Sequence, residues 1–385
     1  MSESDATDTQ LILDAIGRLL SNHVAPHVQR LEDADEWPEE IVSRMAEMGL
    51  FGATIDPEYG GLGLSASSYA QIVERVSQVW MSLSGIFNTH LIMANAIQRF
   101  GTDAQKQRYL PRMASGEMRG ALALTEPDCG TDLQAIRTTA KAQSDGSYLV
   151  NGSKMWITNA ARGHAVALLV KTDSAANPRH KGMSLLIAEK GDGFIVHREL
   201  KKLGYKGIDT AEIEFRDYSV PGDCLLGGVE GQGMQQALQG LELGRINVAA
   251  RGIGVAQAAL DEAISYSKAR QTFGKPICEH QAIQLKLADM AVKVEASRLL
   301  TQAAAAAFDR GERCDMEAGM AKYFATEAAM FCADESMRIH GAYGYSKEYI
   351  VERLYRDAPL LVIGEGTNEM QRIIIARKLI ERSRQ

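Results

Sequence analysis

The spacing of apolar residues divides the chain into three stretches. From about Leu11 to Met118 it is helical: Leu11, Ile12, Ala15, Leu19 and Leu20 recur at three- and four-residue intervals. Trp37-Pro38-Glu39-Glu40 predicts a helix start with Pro at an early helical position. Gly60-Gly61-Leu62-Gly63 reads as a flexible loop, and Ser84 to Arg99 as a mostly buried helix. Between about Ala121 and Gly228 the period shortens. Tyr148 to Ile157 places Asn151-Gly152 between strand-like residues, which predicts a hairpin turn at that dipeptide. Val166 to Val170, Ser184 to Ala188 and Ala211 to Phe215 read as short strands. From Gly233 onward, long Ala- and Leu-rich segments return at Arg245 to Arg270, Gln281 to Arg310 and Met316 to His340. Helices of that length favour an antiparallel bundle. The expected architecture is mainly α with a central β domain. It has an N-terminal helical domain over 1–120, a middle β-barrel-like domain over 121–228 and a C-terminal helical bundle over 229–385.

Composition narrows the function. The chain has 385 residues, 45% hydrophobic and 24% charged, enough to bury a sizeable core. The net charge of −7 disfavours a phosphate-backbone partner, which requires clustered positive charge. Residues 229–385 carry no excess of Lys and Arg over Asp and Glu, so a DNA-binding role is disfavoured there too. Met1 to Gln10 is acidic, and the first basic residue is Arg18, the wrong polarity for a secretory or mitochondrial leader. No apolar run reaches the ~18 residues a membrane span needs. Cys129, Cys224, Cys278, Cys314 and Cys332 are scattered, with no C-x-x-C pair. That usage predicts no disulfide framework and no zinc site, and a reducing cytoplasmic setting.

Five motifs carry the candidate chemistry. Gly364-Glu365-Gly366-Thr367-Asn368-Glu369 sets one carboxylate between two glycines, with a hydroxyl two residues on. Such a loop can hold a general base against an organic ligand, or it can be a solvated turn. Leu124-Thr125-Glu126-Pro127-Asp128-Cys129-Gly130-Thr131-Asp132 reads locally as a turn. Met155-Trp156-Ile157-Thr158-Asn159 reads as a strand with a buried aromatic. Ala269-Arg270-Gln271-Thr272-Phe273-Gly274-Lys275-Pro276 follows a helix, where a cation offsets the dipole. Arg338-Ile339-His340-Gly341-Ala342-Tyr343-Gly344-Tyr345 is rich in small residues that permit close backbone approach, and its His340 reads as structural.

Together these motifs and the zone order resemble the acyl-CoA dehydrogenase family over residues 10 to 382. The resemblance implies a helical domain, a β domain and a four-helix bundle, with FAD between the last two. It implies that Leu124, Thr125, Gly130 and Thr131 meet the flavin, Thr131 also lining the CoA side. Neutral donors there would stabilise the charge of reduced flavin. Trp156 would pack near the flavin and Thr158 near its N5. Arg270, Thr272 and Phe273, with Gln281, would reach the FAD of an adjacent subunit, Arg by forked bonds to phosphate. Arg338 and Gly341 would lie at the adenosine diphosphate end. Many relatives have Gln where Arg338 stands and Gly where Ala342 stands. Thr367 and Glu369 complete the cofactor set.

Glu365 falls on the family's catalytic base. Some relatives instead carry the base one residue before the Arg of a Leu-x-x-x-Arg segment. Here Leu241-Glu242-Leu243-Gly244-Arg245 has Gly244 at that place, and Glu242 lies roughly 200° around a helix from it. Arg245, Gly364, Gly366 and Arg377 are the remaining substrate-side candidates, Arg377 toward the nucleotide end. The resemblance implies α,β-dehydrogenation of an acyl-CoA to a trans-2-enoyl-CoA in fatty acid β-oxidation. Electrons would pass to an electron-transfer flavoprotein, and the chain would form a dimer of dimers. Gly364 stands where many straight-chain relatives have Tyr, which points to short-to-medium or branched acyl groups. An acyl-CoA oxidase is the nearest alternative, and a non-enzymatic DNA-binding member the alternative from another class. No metal is implied.

Overall fold

In the computed structural model, which describes residues 3–383, helices open and close the chain around a curled half-barrel sheet. The N-terminal helices are α1 (Glu3–Leu19), α2 (Val28–Ala34), α3 (Glu39–Glu47), α4 (Ala66–Phe100) and α5 (Asp103–Ala114). Met1 and Ser2, part of the acidic start, lie outside the described residues. Pro38 is the cap of α3 rather than a residue inside it, since its ψ of 64° is not helical. Helix α4 begins well before Ser84 and bends at Trp80, whose φ of −155° breaks the helical run. The indole there is buried and donates to Glu32 Oε2 at 3.2 Å, so a tertiary hydrogen bond accompanies the kink. Gly60 to Gly63 is a tied loop: a Cβ on Gly61 would stand 2.0 Å from the Ile55 carbonyl oxygen, and Leu62 N–H donates to Gly52.

The sheet comprises β1 (Gly120–Ala123), β2 (Thr139–Ala142), β3 (Tyr148–Thr158), β4 (Ala165–Lys171), β5 (Met183–Glu189), β6 (Phe194–Glu199) and β7 (Thr210–Val220). Its order is β1-β4-β2-β3-β7-β6, with β5 antiparallel to β4. The predicted turn at Asn151-Gly152 is not a turn. Both residues lie inside β3, where the register against β7 shifts between Val150 and Gly152. Gly152 has φ +148°, and a Cβ there would meet Thr138 at 2.5 Å, so the glycine serves a bulge and a close backbone approach. The turn joining β2 to β3 is Asp145-Gly146 instead: Gly146 has φ +85°, and Asp145 Oδ1 accepts from Ser147 N–H at 2.9 Å.

The C-terminal part holds α6 (Gly233–Ala269), the short hairpin β8 (Gln271–Thr272) and β9 (Lys275–Pro276), α7 (Gln281–Asp309), α8 (Asp315–His340), α9 (Val351–Ile363) and α10 (Asn368–Arg382). Helix α6 packs against α4, α7 and α8, and from Gly240 to Ala256 every residue is buried. A helix covered on all sides loses its amphipathic stripe, and polar residues on it face other protein groups. Asp309, at the end of α7, accepts from the N–H of Ala66 at 2.6 Å and of Ser67 at 3.1 Å. A carboxylate at the start of α4 suits that helix end and joins the two helical parts.

Candidate active site

The loop between α9 and α10 presents Glu365. Gly364 ends α9, its N–H donating to Leu360 at 2.7 Å, and Thr367 caps α10, accepting from Met370 N–H at 3.4 Å. Gly366 has φ +87° and Glu365 itself φ +54°, a conformation uncommon for a residue with a side chain. Lys322 of α8 holds this shape. Its buried ammonium donates to the Gly366 carbonyl at 3.0 Å and to Asn368 Oδ1 at 2.8 Å. Burial pulls the Lys322 pKa down to about 8.

The Glu365 carboxylate points between α4 and α6. Asn88 Nδ2 donates to Oε1 at 3.0 Å, and Arg251 Nη2 lies 3.8 Å from the same oxygen. Oε2 has no hydrogen-bond partner among the described residues. It faces Gly244, where an added Cβ would lie only 2.4 Å away. The position that cannot carry a base thus leaves room for the base that is present. Burial raises the Glu365 pKa, against the lowering effects of Arg251, Lys322, Asn88 and Arg245. Its side chain keeps 21% exposure. A carboxylate with one unengaged oxygen and a raised pKa is suited to removing a weakly acidic proton.

Arg245 is buried beside this group, and its Nε lacks a hydrogen-bond partner among the described residues. Burial pulls its guanidinium below the ordinary value, while Asp315, Glu242 and Glu365 favour its charge. Glu242 lies against Asp315 rather than toward the Glu365 loop, and burial pushes its pKa up. Arg377 is exposed on α10 and Glu369 is exposed in that helix's first turn.

The 124–132 segment is more than a turn. Glu126 points inward and pairs with fully buried Lys154 at 2.9 Å. Lys154 also donates to the Leu124 carbonyl at 3.0 Å, while Glu126 accepts from the N–H groups of Arg137 and Thr138 at 2.6 and 3.0 Å. Burial opposes the Glu126 charge, but Lys154, Thr138 and the Arg137 amide outweigh it and hold the carboxyl below its ordinary range. The Thr125 carbonyl accepts from Met155 N–H at 2.9 Å. Gly130 and Thr131 are exposed at the outer end of the loop. Trp156 is not the buried aromatic that its strand predicts. It is 56% exposed with φ +65°, at a second register shift between Lys154 and Ile157 that turns its side chain outward. Thr158, half-buried, pairs across the sheet with Thr210, whose buried hydroxyl lacks a partner among the described residues.

Arg270 is the C-cap of α6, followed by the β8–β9 hairpin with Phe273 at its tip, 97% exposed and at φ +50°. Thr272 shares a 3.0 Å hydrogen bond with His280, and exposed Gln281 opens α7. Arg338 pairs with Asp334 at 2.7 Å on α8, and Gly341 ends that helix at φ +62°. His340 is structural: it is stacked on Tyr266 at 4.1 Å, and its Nδ1 meets the Ser336 carbonyl. The fold brings together Glu365, Gly364, Gly366, Thr367 and Arg245. Among the described residues, no hydrogen bond or ion pair joins Arg270, Phe273, Arg338 or Gly341 to that group. Asn88, Arg251, Lys322 and the Glu126–Lys154 pair were missed by sequence reasoning. Charged residues inside the Ala-rich α6 and α8 were the available signal.

Three family models match consecutive parts of the chain: acyl-CoA dehydrogenase, N-terminal domain, over 6–117; middle domain, over 121–218; and C-terminal domain, over 231–380. The chain belongs to the acyl-CoA dehydrogenase family. It is 42% identical over 359 residues to an acyl-CoA dehydrogenase of Bacillus subtilis, covering 93% of this chain and 94% of that one. It is 41% identical over 384 residues to (2S)-methylsuccinyl-CoA dehydrogenase of Cereibacter sphaeroides, covering 97% of this chain and 70% of the relative. The structure of butyryl-CoA dehydrogenase from Megasphaera elsdenii superposes with a TM-score of 0.94 at 35% identity, covering 99% of both chains.

Family members are FAD-dependent oxidoreductases. The residues present fit that cofactor. The buried Thr210 hydroxyl across from Thr158 has no hydrogen-bond partner among the described residues and is open to a ligand. Trp156 offers an exposed aromatic face. No described helix is long and apolar enough to cross a membrane.

Proposed function

We propose that this chain dehydrogenates a short-to-medium or branched acyl-CoA thioester between Cα and Cβ, giving a trans-2-enoyl-CoA. The observation that carries the proposal is Glu365: a half-buried carboxylate with a raised pKa and one oxygen unengaged among the described residues, held by Asn88 on a loop that Lys322 fixes. Bound FAD supplies the acceptor for the β-hydride. Glu365 takes the α-proton, and its backbone N–H, with a flavin ribityl hydroxyl, is the proposed donor to the thioester carbonyl. Leu124, Thr125, Gly130, Thr131, Trp156 and Thr158 are proposed to line the flavin. Arg338, Gly341, Thr367 and Glu369 would serve the rest of that cofactor. Arg270, Thr272, Phe273 and Gln281 are proposed to complete the FAD site of a neighbouring subunit in a homotetramer.

Arg245, Gly364, Gly366 and Arg377 form the proposed substrate side. Electrons would leave to an electron-transfer flavoprotein, in the cytoplasm. The three domains are proposed as residues 1–120, 121–228 and 229–385. Anaerobic visible titration of the purified flavoprotein with isobutyryl-, isovaleryl-, butyryl- and octanoyl-CoA tests the activity. Bleaching of the flavin band by one of them supports it. A colourless protein that cannot be loaded with FAD overturns it.

A further inference from the structure

Arg251 has no part in the reaction described so far, yet it is the charged side chain nearest the base. It sits on α6 one turn after Asn247 and is only 4% exposed. Its Nε donates to Asn247 Oδ1 at 2.8 Å and its Nη1 to the Tyr205 hydroxyl at 3.3 Å. Both partners are neutral. Nη2 makes no hydrogen bond among the described residues, and the only carboxylate in ion-pair range is Glu365, at 3.8 Å. The surroundings are built around this cation. Asn247 Nδ2 donates to Tyr69 at 2.9 Å, and Tyr69 to Asn88 at 3.4 Å. Asn88 then donates to Glu365, which closes the ring of polar groups. On α4, Gly85 makes the space, for an added Cβ would overlap the Tyr205 hydroxyl at 1.6 Å.

A buried guanidinium needs a countercharge, and removing one partner of such a pair is strongly unfavourable. Here the partner is the group that must become neutral when it takes the substrate proton. With an uncharged acyl chain, each turnover would move the negative charge from Glu365 to the flavin and leave Arg251 without the carboxylate beside it. A carboxylate on the acyl group removes the conflict. It takes the free Nη2 and leaves Glu365 to act as a base.

We infer that the acyl group carries its own carboxylate a short distance beyond Cβ, so that the substrate is a CoA thioester of a short, branched or unbranched dicarboxylic acid anchored by Arg251. The inference rests on the dehydrogenase reading and names its substrate class. The α-proton goes to Glu365 and the β-hydride to the flavin, while the carboxylate is retained in the product.

The test is the rate of anaerobic flavin bleaching by methylsuccinyl-CoA and glutaryl-CoA, each against its monomethyl ester, with butyryl-CoA as the uncharged reference. The expected result is a preference for the acids over the esters of about 100-fold in kcat/KM. Arg251→Gln is expected to collapse that ratio. Should the variant lose FAD, the acid-to-ester ratio of the unaltered protein decides alone. Bleaching by butyryl-CoA or the esters at least as fast as by the acids overturns the inference and leaves the dehydrogenase reading standing. An unchanged acid-to-ester ratio in a flavin-loaded Arg251→Gln variant also overturns it. A flavin band that neither these thioesters nor isobutyryl-, isovaleryl- and octanoyl-CoA bleach overturns both.

Discussion

At the residue scale the chemistry turns on one carboxylate and what surrounds it. Glu365→Gln keeps the volume and removes the base. Flavin reduction in a single anaerobic turnover should fall by about 10³-fold, with FAD content unchanged. Equal rates in the two proteins would remove Glu365 from the mechanism. The pH dependence has a defined sign. The base works ionised, and burial raises its pKa. The acid limb of flavin bleaching should therefore lie above the ordinary Glu range. Asn88 donates to the ionised form and favours it. Asn88→Leu should thus move that limb to higher pH, which stopped-flow profiles would read directly. Gly244→Ala tests the space rather than the charge. Its Cβ would press on Oε2 from 2.4 Å, and a rate loss of about 10-fold or more with normal FAD content is expected. The sequence exposed Glu365 and Gly244 because both lie in short motifs. It concealed Asn88, Arg251 and Lys322, which come from three separate helices and meet the base only through the tertiary fold.

At the scale of elements, long helices were legible because Ala- and Leu-rich segments keep one period for many residues. Their ends were less so, and α6 begins at Gly233, before the alanine-rich part. The β region misled where glycine had two meanings. Asn151-Gly152 and Asp145-Gly146 are both turn dipeptides, but only the second has the free space of a turn: an added Cβ at Gly146 meets nothing within 4 Å. The same region holds an element-level prediction. The Glu126–Lys154 pair ties the 124–132 loop to β3 from inside the protein. Removing one partner leaves a buried charge unpaired, so Lys154→Met should lower stability by about 3–5 kcal/mol. Replacing both, with Glu126→Gln added, should recover part of that loss because no net charge then remains buried. Urea unfolding of the two variants would check this. A double variant less stable than Lys154→Met alone would show that the pair does not act as a unit.

At the scale of the whole molecule, the apolar surface of a single chain is uneven. Leu285, Val292 and Leu299 lie seven residues apart on α7 and are 61%, 68% and 58% exposed. That spacing places them on one stripe of the helix. Phe273, 97% exposed, stands on the hairpin just before the same helix. Exposed apolar stripes of this kind mark association surfaces. In the proposed tetramer the hairpin would serve the neighbour's FAD, so assembly and cofactor retention should fail together. Val292→Arg puts a charge in the middle of the stripe without touching Glu365 or the β sheet. Light scattering should show a smaller assembly, and the flavin absorbance per chain should fall with it. Phe273→Ala should separate the two effects by weakening FAD binding more than assembly. If Val292→Arg yields a monomer that keeps its full flavin, the FAD site is complete within one chain, and the hairpin has no part in a neighbour's cofactor site.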